Sequence, residues 1–231
     1  SIDRTTEIAS EMGAEVFSDH GNGLGYARNM ALRIGETELL GYVDADAFIT
    51  ENWLDILKHM DDPMVAAVSA TTIYGYGNPP LQRLHEWLAR TKSEDVGFVS
   101  TVVRRGVVLS VGGIREDLAT YEDWELDTRL RKAGFKWICD RNVHTLHPMS
   151  SLEFLSHVRQ WGQGAKRSGI GGENLTKIVG SCATSPLRGL KFCFTLHPML
   201  AVYYPLLRLS FLRGYVEEPR PVARHDENSP W

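Results

Sequence analysis

The feature that most constrains this chain is a short apolar run that ends in two carboxylates one residue apart. Residues 39–43 read Leu-Leu-Gly-Tyr-Val, and Asp44-Ala45-Asp46 follow at once. An apolar run of this length, bounded by polar residues, is typical of a buried strand. Two neighbouring carboxylates repel each other and lose hydration when they are enclosed. The pattern therefore indicates either a bound cation or a solvated strand end.

The segments around this run predict an α/β fold, because short strands and helices alternate along the chain. Helices are predicted at 4–12, 26–35, 51–60 (with Thr50 as N-cap), 81–92 and 120–134. Strands are predicted at 14–18, 39–43, 64–73, twice within 96–113, and at 136–140, after which 143–148 leads out of the domain. This order favours a parallel sheet, in which ligands gather at the carboxyl ends of strands. Asp44 and Asp46 lie at such an end.

Charge is distributed unevenly over the 231 residues. The net charge is −4, but residues 1–156 carry −9 and residues 157–215 carry +7. This balance gives no indication of nucleic acid binding. A basic, apolar-rich segment after an acidic body predicts contact with anionic lipid or phosphate; a basic helix packed on the acidic body is the alternative. We expect one domain over 1–150 and a helical extension over 151–231.

The cysteines indicate a reducing compartment. Cys139, Cys182 and Cys193 form no Cys-x-x-Cys pair and cannot all pair with one another. They predict free thiols, with neither a zinc site nor a disulfide framework. No signal-peptide pattern is visible in the sequence. We therefore expect a cytoplasmic location.

Three motifs leave two interpretations each. Asp44-x-Asp46 suits a hard divalent cation that also binds phosphate oxygens, or a polar turn. Asp123 is either a general base at a helix start, with Glu122 beside it to contact a hydroxyl substrate, or part of a capping box with Thr120. Arg28 is either a phosphate contact or a solvated helix residue.

Two further motifs are weak. Gly21-x-Gly23 begins like a dinucleotide-binding fingerprint, but Tyr26 stands at the third glycine position, so the match fails. His144-x-x-His147 follows the last predicted strand, where histidines are usually structural or solvated.

Taken in order, six segments within roughly residues 1–165 resemble the family 2 glycosyltransferases of the GT-A fold. They are SIDRTTEIASEMGAEVF, GLGYARNMAL, GYVDADAFIT, VGGIRED, YEDWELDTRLRKAGFKW and VHTLHP. The fourth has Ile114 where the family pattern has Phe. Each segment alone is a weak signal, and their order is what makes the resemblance specific. It implies a GT-A-like, Rossmann-type mixed sheet flanked by helices, with a helical C-terminal extension.

The resemblance implies a metal-dependent, inverting glycosyltransferase of the hexosyltransferase class. Its donor would be a nucleotide-diphosphate sugar, bound by Arg28, Asp44 and Gly113. Asp44, Asp46 and His147 would hold manganese or magnesium against the diphosphate. The DxD motif of residues 44–46 would thus be a metal site, not merely a solvated strand end.

The resemblance also implies the acceptor side. Asp123 would deprotonate the acceptor hydroxyl, and Glu122 and Trp124 would contact the acceptor. Family members begin with a strand, helix and strand that would precede Ser1, so we expect the sequence to be truncated. The alternatives are a non-catalytic glycosyltransferase-like module and a haloacid-dehalogenase-like phosphohydrolase with Asp44 as nucleophile.

The last predicted feature is the segment LRGLKFCFTLHPMLAVYYPLLRLSFLRGYV, residues 187–216. The 16 residues between Lys191 and Arg208 contain no Lys, Arg, Asp or Glu, which falls short of the ~20 apolar residues of a bilayer span. Basic and aromatic residues around them predict a segment in the interface of the cytoplasmic membrane's inner face, beside a lipid-linked or membrane-proximal acceptor. The alternatives are a cover for the α/β body or a homodimer contact.

Overall fold

The computed structural model describes residues 3–91, 96–170 and 174–217. Its strands form one sheet in the order β1-β4-β3-β5-β2. They are β1 (Leu39–Val43), β2 (Phe48–Ile49), β3 (Val65–Tyr74), β4 (Ser100–Arg104) and β5 (Lys136–His147). The helices are α1 (Thr5–Glu11), α2 (Leu24–Ile34), a 3₁₀ helix (Trp53–Asp61), α3 (Pro79–Thr91), α4 (Arg105–Ser110), α5 (Glu122–Lys132), α6 (Ser151–Ser168), α7 (Leu175–Thr195) and α8 (Leu200–Val216).

The sheet is mixed, so the prediction of a parallel sheet is wrong. Only β3 and β5 run parallel, whereas β1 with β4, β3 with β4 and β2 with β5 run antiparallel. The mixed α/β sheet flanked by helices that the resemblance implied is confirmed. β1 stands at the edge and is partly exposed, so it is not the fully buried strand that its apolar run suggested.

The segment after β4 corrects a second expectation. A strand was expected near residues 107–113, but the chain forms α4 there. β4 lies between β1 and β3, so both its edges are already hydrogen-bonded and no hairpin partner can join it. Val107 and Val108, which by propensity favour a strand, therefore lie within α4, and Val108 is buried in the core.

Three further predictions differ from the structure. Residues 14–18 form no strand, and Val16 and Phe17 are exposed there. The predicted helix at 51–60 is a 3₁₀ helix whose N-cap is Asn52, while the Thr50 hydroxyl lies 3.0 Å from the His144 carbonyl oxygen and joins β2 to β5. Residues 143–147 do not leave the domain, because β5 continues past a register shift opposite β3 and ends at His147.

The packed interior has one cluster under the sheet and one among the later helices. The first joins the sheet to α2 and α5, and Leu126 and Leu130 of α5 are fully buried in it. The second joins α3 to α6, α7 and α8. On α5 the charge pairs Glu125–Arg129 and Asp127–Arg131 form at four-residue spacing. The helical extension therefore shares its core with α3.

Candidate functional site

The site forms where the end of β1, the middle of α2 and the start of α5 meet. The Asp44 backbone N–H donates to the Val99 carbonyl at 2.9 Å and continues the pairing of β1 with β4 by one residue. The Ala47 N–H then donates to the Asp44 carbonyl at 3.1 Å, which closes a turn directly after the strand. The Asp44 carboxylate reaches α2, where it accepts from Arg28.

Arg28 is the residue that joins these elements. Its side chain is 8% exposed, its Nη2 donates to Asp44 Oδ1 at 3.0 Å, and its Nη1 donates to Glu122 Oε1. The guanidinium also lies over the Phe98 ring, 4.9 Å from the centroid. The interpretation of Arg28 as a solvated helix residue is therefore wrong. One cation is held between two carboxylates that are far apart in sequence.

The start of α5 excludes the capping-box interpretation of Asp123. The N-cap residue is Tyr121, which adopts a left-handed conformation with φ 70° and makes no side-chain cap bond. The Thr120 hydroxyl donates instead to the Gln160 carbonyl at 3.0 Å. Asp123 lies inside the first turn, where its Oδ1 accepts from the Trp124 backbone N–H at 2.8 Å.

The environment of Asp123 is suited to proton transfer. Burial, and then the negative charge of Glu122, raise the pKa of Asp123 to about 8. Burial also raises the pKa of Glu122, against the opposing effect of the Arg28 cation. A carboxyl group with a pKa near neutrality is a better general base than an ordinary aspartate.

Asp46 and His147 form a second pair at the end of the sheet. His147 Nε2 lies 3.4 Å from Asp46 Oδ1, and the imidazole is buried while the carboxylate is exposed. His147 Nδ1 contacts the Pro148 carbonyl oxygen at 3.2 Å. Because a carbonyl oxygen only accepts, this contact needs a proton on Nδ1, so that a neutral ring would present the Nε2 lone pair to Asp46. A cation between the two atoms would make this contact favourable.

The metal prediction concerns these same side chains. A carboxylate oxygen and an imidazole nitrogen are donors that Mn²⁺ accepts. In 3–91, 96–170 and 174–217, however, no group of three or more His, Cys, Asp or Glu side chains lies close enough to hold a metal ion. Asp44 is turned toward Arg28. The three-ligand set of Asp44, Asp46 and His147 stays a prediction.

Gly113 lies in a loop that is fastened to α2 beside Arg28. It has φ +72°, and a Cβ at this position would lie 2.5 Å from Asn29 Oδ1. The same oxygen accepts from the Ile114 backbone N–H at 3.1 Å. Glycine is required at position 113 because φ is positive there and because a Cβ would clash with the Asn29 side chain. Asn29 was missed by the sequence reasoning, although it directly follows Arg28 in the family-like Ala-Arg-Asn motif.

Trp124 lies apart from these contacts: it is 39% exposed and stacks on Tyr121, with ring centroids 6.3 Å apart. Glu122, in contrast, is buried and accepts from Arg28. Phe98 was also missed, since nothing in the sequence connects it with Arg28.

A separate cleft of about 540 Å³ is lined by Thr50 and by residues of α3, β3 and β5, among them Arg90, Arg141 and His144. None of the predicted site residues lines it.

Comparisons with known proteins relate the chain to glycosyltransferases. Residues 1–115 match the model of glycosyl transferase family 2. Pre-mycofactocin glycosyltransferases of two Mycobacterium tuberculosis strains, CDC 1551 / Oshkosh and ATCC 25618 / H37Rv, are 31% identical over 130 residues, which cover 50% of this chain. The match spans only 28% of the length of those relatives.

A solved structure resembles nearly the whole chain. The mannosyltransferase PcManGT from Pyrobaculum calidifontis, in complex with GDP-Man and Mn²⁺, matches with a TM-score of 0.61 at 17% identity. The match covers 94% of this chain and 74% of that one. At this identity the comparison shows a shared fold, the GT-A fold.

Proposed function

We propose, from the premise that the chain belongs to glycosyl transferase family 2, that it moves a sugar from a nucleotide-diphosphate donor to a hydroxyl acceptor with inversion. The observation that carries this proposal is the pair of contacts made by Arg28. They bring Asp44, at the end of β1, to the first turn of α5, which contains Asp123. A donor-side carboxylate and a general base thereby flank one site.

The reaction is a single displacement. The Asp123 carboxylate takes the proton of the acceptor hydroxyl as that oxygen forms a bond to the anomeric carbon. The bond from the anomeric carbon to the diphosphate oxygen breaks on the opposite face, and the diphosphate leaves with the electron pair. The raised pKa of Asp123 favours this transfer, because a more basic carboxylate holds the proton more strongly.

The donor side is proposed to contain manganese or magnesium. Asp46 and His147 present an oxygen and a nitrogen to one point, and Asp44 lies two residues from Asp46. Such an ion, when bound, neutralises charge on the leaving diphosphate. Arg28 supplies a fixed positive charge beside it, and Gly113 lets the neighbouring backbone approach the donor sugar. The Mn²⁺ and GDP-Man of the Pyrobaculum calidifontis structure support this assignment.

The acceptor side is proposed to include Trp124, whose exposed ring lies next to Asp123. For Glu122 the burial and the Arg28 contact favour a positioning role, in which it orients Arg28 without touching the acceptor. A lipid-linked acceptor at the inner face of the cell membrane remains part of the proposal, and a homodimer contact is the alternative role of the same C-terminal helices. The family match covers the Asp44 motif and so disfavours the phosphohydrolase alternative.

Calorimetric titration with GDP and UDP, with and without Mn²⁺, tests the proposal. We expect nucleotide binding that requires the metal and that Asp46→Asn weakens by ~10-fold or more. Asp55→Asn, an exposed carboxylate of the 3₁₀ helix, is the matched control and should leave binding unchanged. Equal affinity in excess chelator would contradict the metal site. Metal-dependent binding without sugar transfer to any hydroxyl acceptor would favour the non-catalytic module.

A further inference from the structure

The last two helices are apolar on two opposite faces. Leu200, Tyr203, Leu207 and Phe211 of α8 point into the core that α8 shares with α6 and α3. Large apolar side chains also recur at three- and four-residue spacing on the outside of both helices. These outer-stripe residues are Leu187, Leu190 and Phe194 on α7, and Met199, Val202, Leu206 and Leu209 around α8.

Such a pattern is unusual for a helix at a protein surface. A surface helix normally has one apolar face and one polar face, and a helix that is apolar all round is covered on all sides. Seven exposed apolar side chains on two packed helices exceed the scattered exposure expected on a monomer. The outer stripe therefore indicates a surface that another phase or molecule covers.

The charge of this segment favours one occupant. From Asn174 to Val216 there is no Asp or Glu, whereas Lys177, Arg188, Lys191, Arg208 and Arg213 are basic. Arg188 and Lys191 are exposed and alternate with Leu187 and Leu190 along α7. Lysine and arginine beside exposed leucine and phenylalanine are the composition of helices that lie in the headgroup region of anionic membranes.

A second copy of the chain fits less well. In a two-fold symmetric dimer the same patch meets itself, so the basic residues of both copies would face each other with no acidic residue between Asn174 and Val216 to offset them.

We propose that α7 and α8 dock peripherally on an anionic bilayer. The outer-stripe residues enter the boundary between headgroups and acyl chains, and Arg188 and Lys191 lie among the anionic headgroups. The helices lie along the surface, since no helix in the described ranges is both long enough and apolar enough to cross a membrane. This docking deepens the membrane part of the proposed function but depends on a different surface, so vesicle binding and sugar transfer can fail independently.

Flotation with phospholipid vesicles tests the docking. We expect the chain to float at low salt with vesicles that contain about one third phosphatidylglycerol, and to stay below pure phosphatidylcholine vesicles. Leu187→Ser with Phe194→Ser should reduce the bound fraction ~10-fold or more. Leu54→Ser with Met12→Ser is the matched control, because Met12 and Phe194 are both 82% exposed; it should leave binding unchanged.

A charge variant separates recognition of anionic headgroups from non-specific hydrophobic adsorption to vesicles. Arg188→Gln with Lys191→Gln should weaken binding to the anionic vesicles roughly 10-fold at low salt and remove most of the salt dependence. Circular dichroism melting should be unchanged in all three double variants, since every substituted side chain is exposed. The proposal is overturned if the intact chain does not float with anionic vesicles at low salt. It is also overturned if sedimentation shows a dimer that Leu187→Ser with Phe194→Ser dissociates.

Discussion

Asp123 is the side chain on which the proposed chemistry depends most directly, because we propose that its carboxylate takes the proton of the attacking hydroxyl. Asp123→Asn keeps the size of the side chain and its contact with the Trp124 N–H but removes the basic oxygen. We expect the turnover rate to fall ~100-fold or more, while the free energy of unfolding changes by less than ~2 kcal/mol. Steady-state kinetics and urea denaturation of both proteins measure the two quantities.

The pH profile provides the control for this substitution. Asp123 must be deprotonated to act, and its pKa is raised to about 8, so the kcat/KM of the unmodified protein should rise with pH and level off above about 8. The residual activity of Asp123→Asn should lack this rise. Parallel loss of folding and activity, or a wild-type rise near pH 4, would contradict the assignment.

Arg28 contacts two carboxylates, so replacing it even with lysine should lower both activity and stability. Lysine keeps the charge, but its single ammonium cannot reproduce the two directed contacts of a planar guanidinium. We expect Arg28→Lys to lower kcat/KM at least ~10-fold and the free energy of unfolding by roughly 2 kcal/mol, because it leaves a buried carboxylate poorly paired. Arg33→Lys, at the exposed pair with Glu116, is the control and should change stability by less than ~1 kcal/mol. Similar losses for both variants would mean that the buried contact has no special role.

Between elements, the contact of α6 with α8 depends on glycine. A Cβ on Gly214 would lie 1.8 Å from the Arg159 carbonyl oxygen, so an alanine there must push the helices apart. We expect Gly214→Ala to lower the free energy of unfolding by about 2 kcal/mol or more. Gly180→Ala in α7 is the control, since a Cβ there meets nothing within 4 Å, and it should stabilise the helix by ~0.5–1 kcal/mol. If Gly214→Ala is as well tolerated in thermal melts, the two helices do not pack this closely.

Over the whole molecule, stability should decrease in acid because a carboxylate joins the 3₁₀ helix to β5. Burial alone would raise the pKa of Asp140, but Lys58, the Asn142 N–H and His59 together lower it to about 2. A lowered pKa contributes stability that is complete above the unfolded value of 3.8 and is lost as the pH falls toward 2. Unfolding measured between pH 5 and pH 2, at about one-unit steps, should show this loss. Asp140→Asn should be less stable at pH 5 and should depend less on pH below it; an unchanged slope would exclude Asp140 as the cause.

Local sequence patterns determined those parts of the fold whose contacts are close in sequence. The helix α5 follows from Leu126 and Leu130 on one face and from charge pairs four residues apart, and all of these contacts are present. The turn of the chain after Asp44 and the helix end near Gly35 follow equally from short-range pattern. The order of six short motifs was enough to indicate the family and its fold.

Only the tertiary structure decided features that depend on partners distant in sequence. The valines after β4 form α4 because β1 and β3 occupy both edges of that strand, which no local propensity reveals. Glu122 is buried against Arg28, 94 residues earlier, although its position beside Asp123 had suggested contact with the acceptor. Asp46 lies beside His147 at the end of β5, and Asp44 accepts from Arg28 of α2. In both pairs the partners are distant in sequence. A sequence pattern states which groups are available, but their charges interact only at the distances that the packed chain imposes.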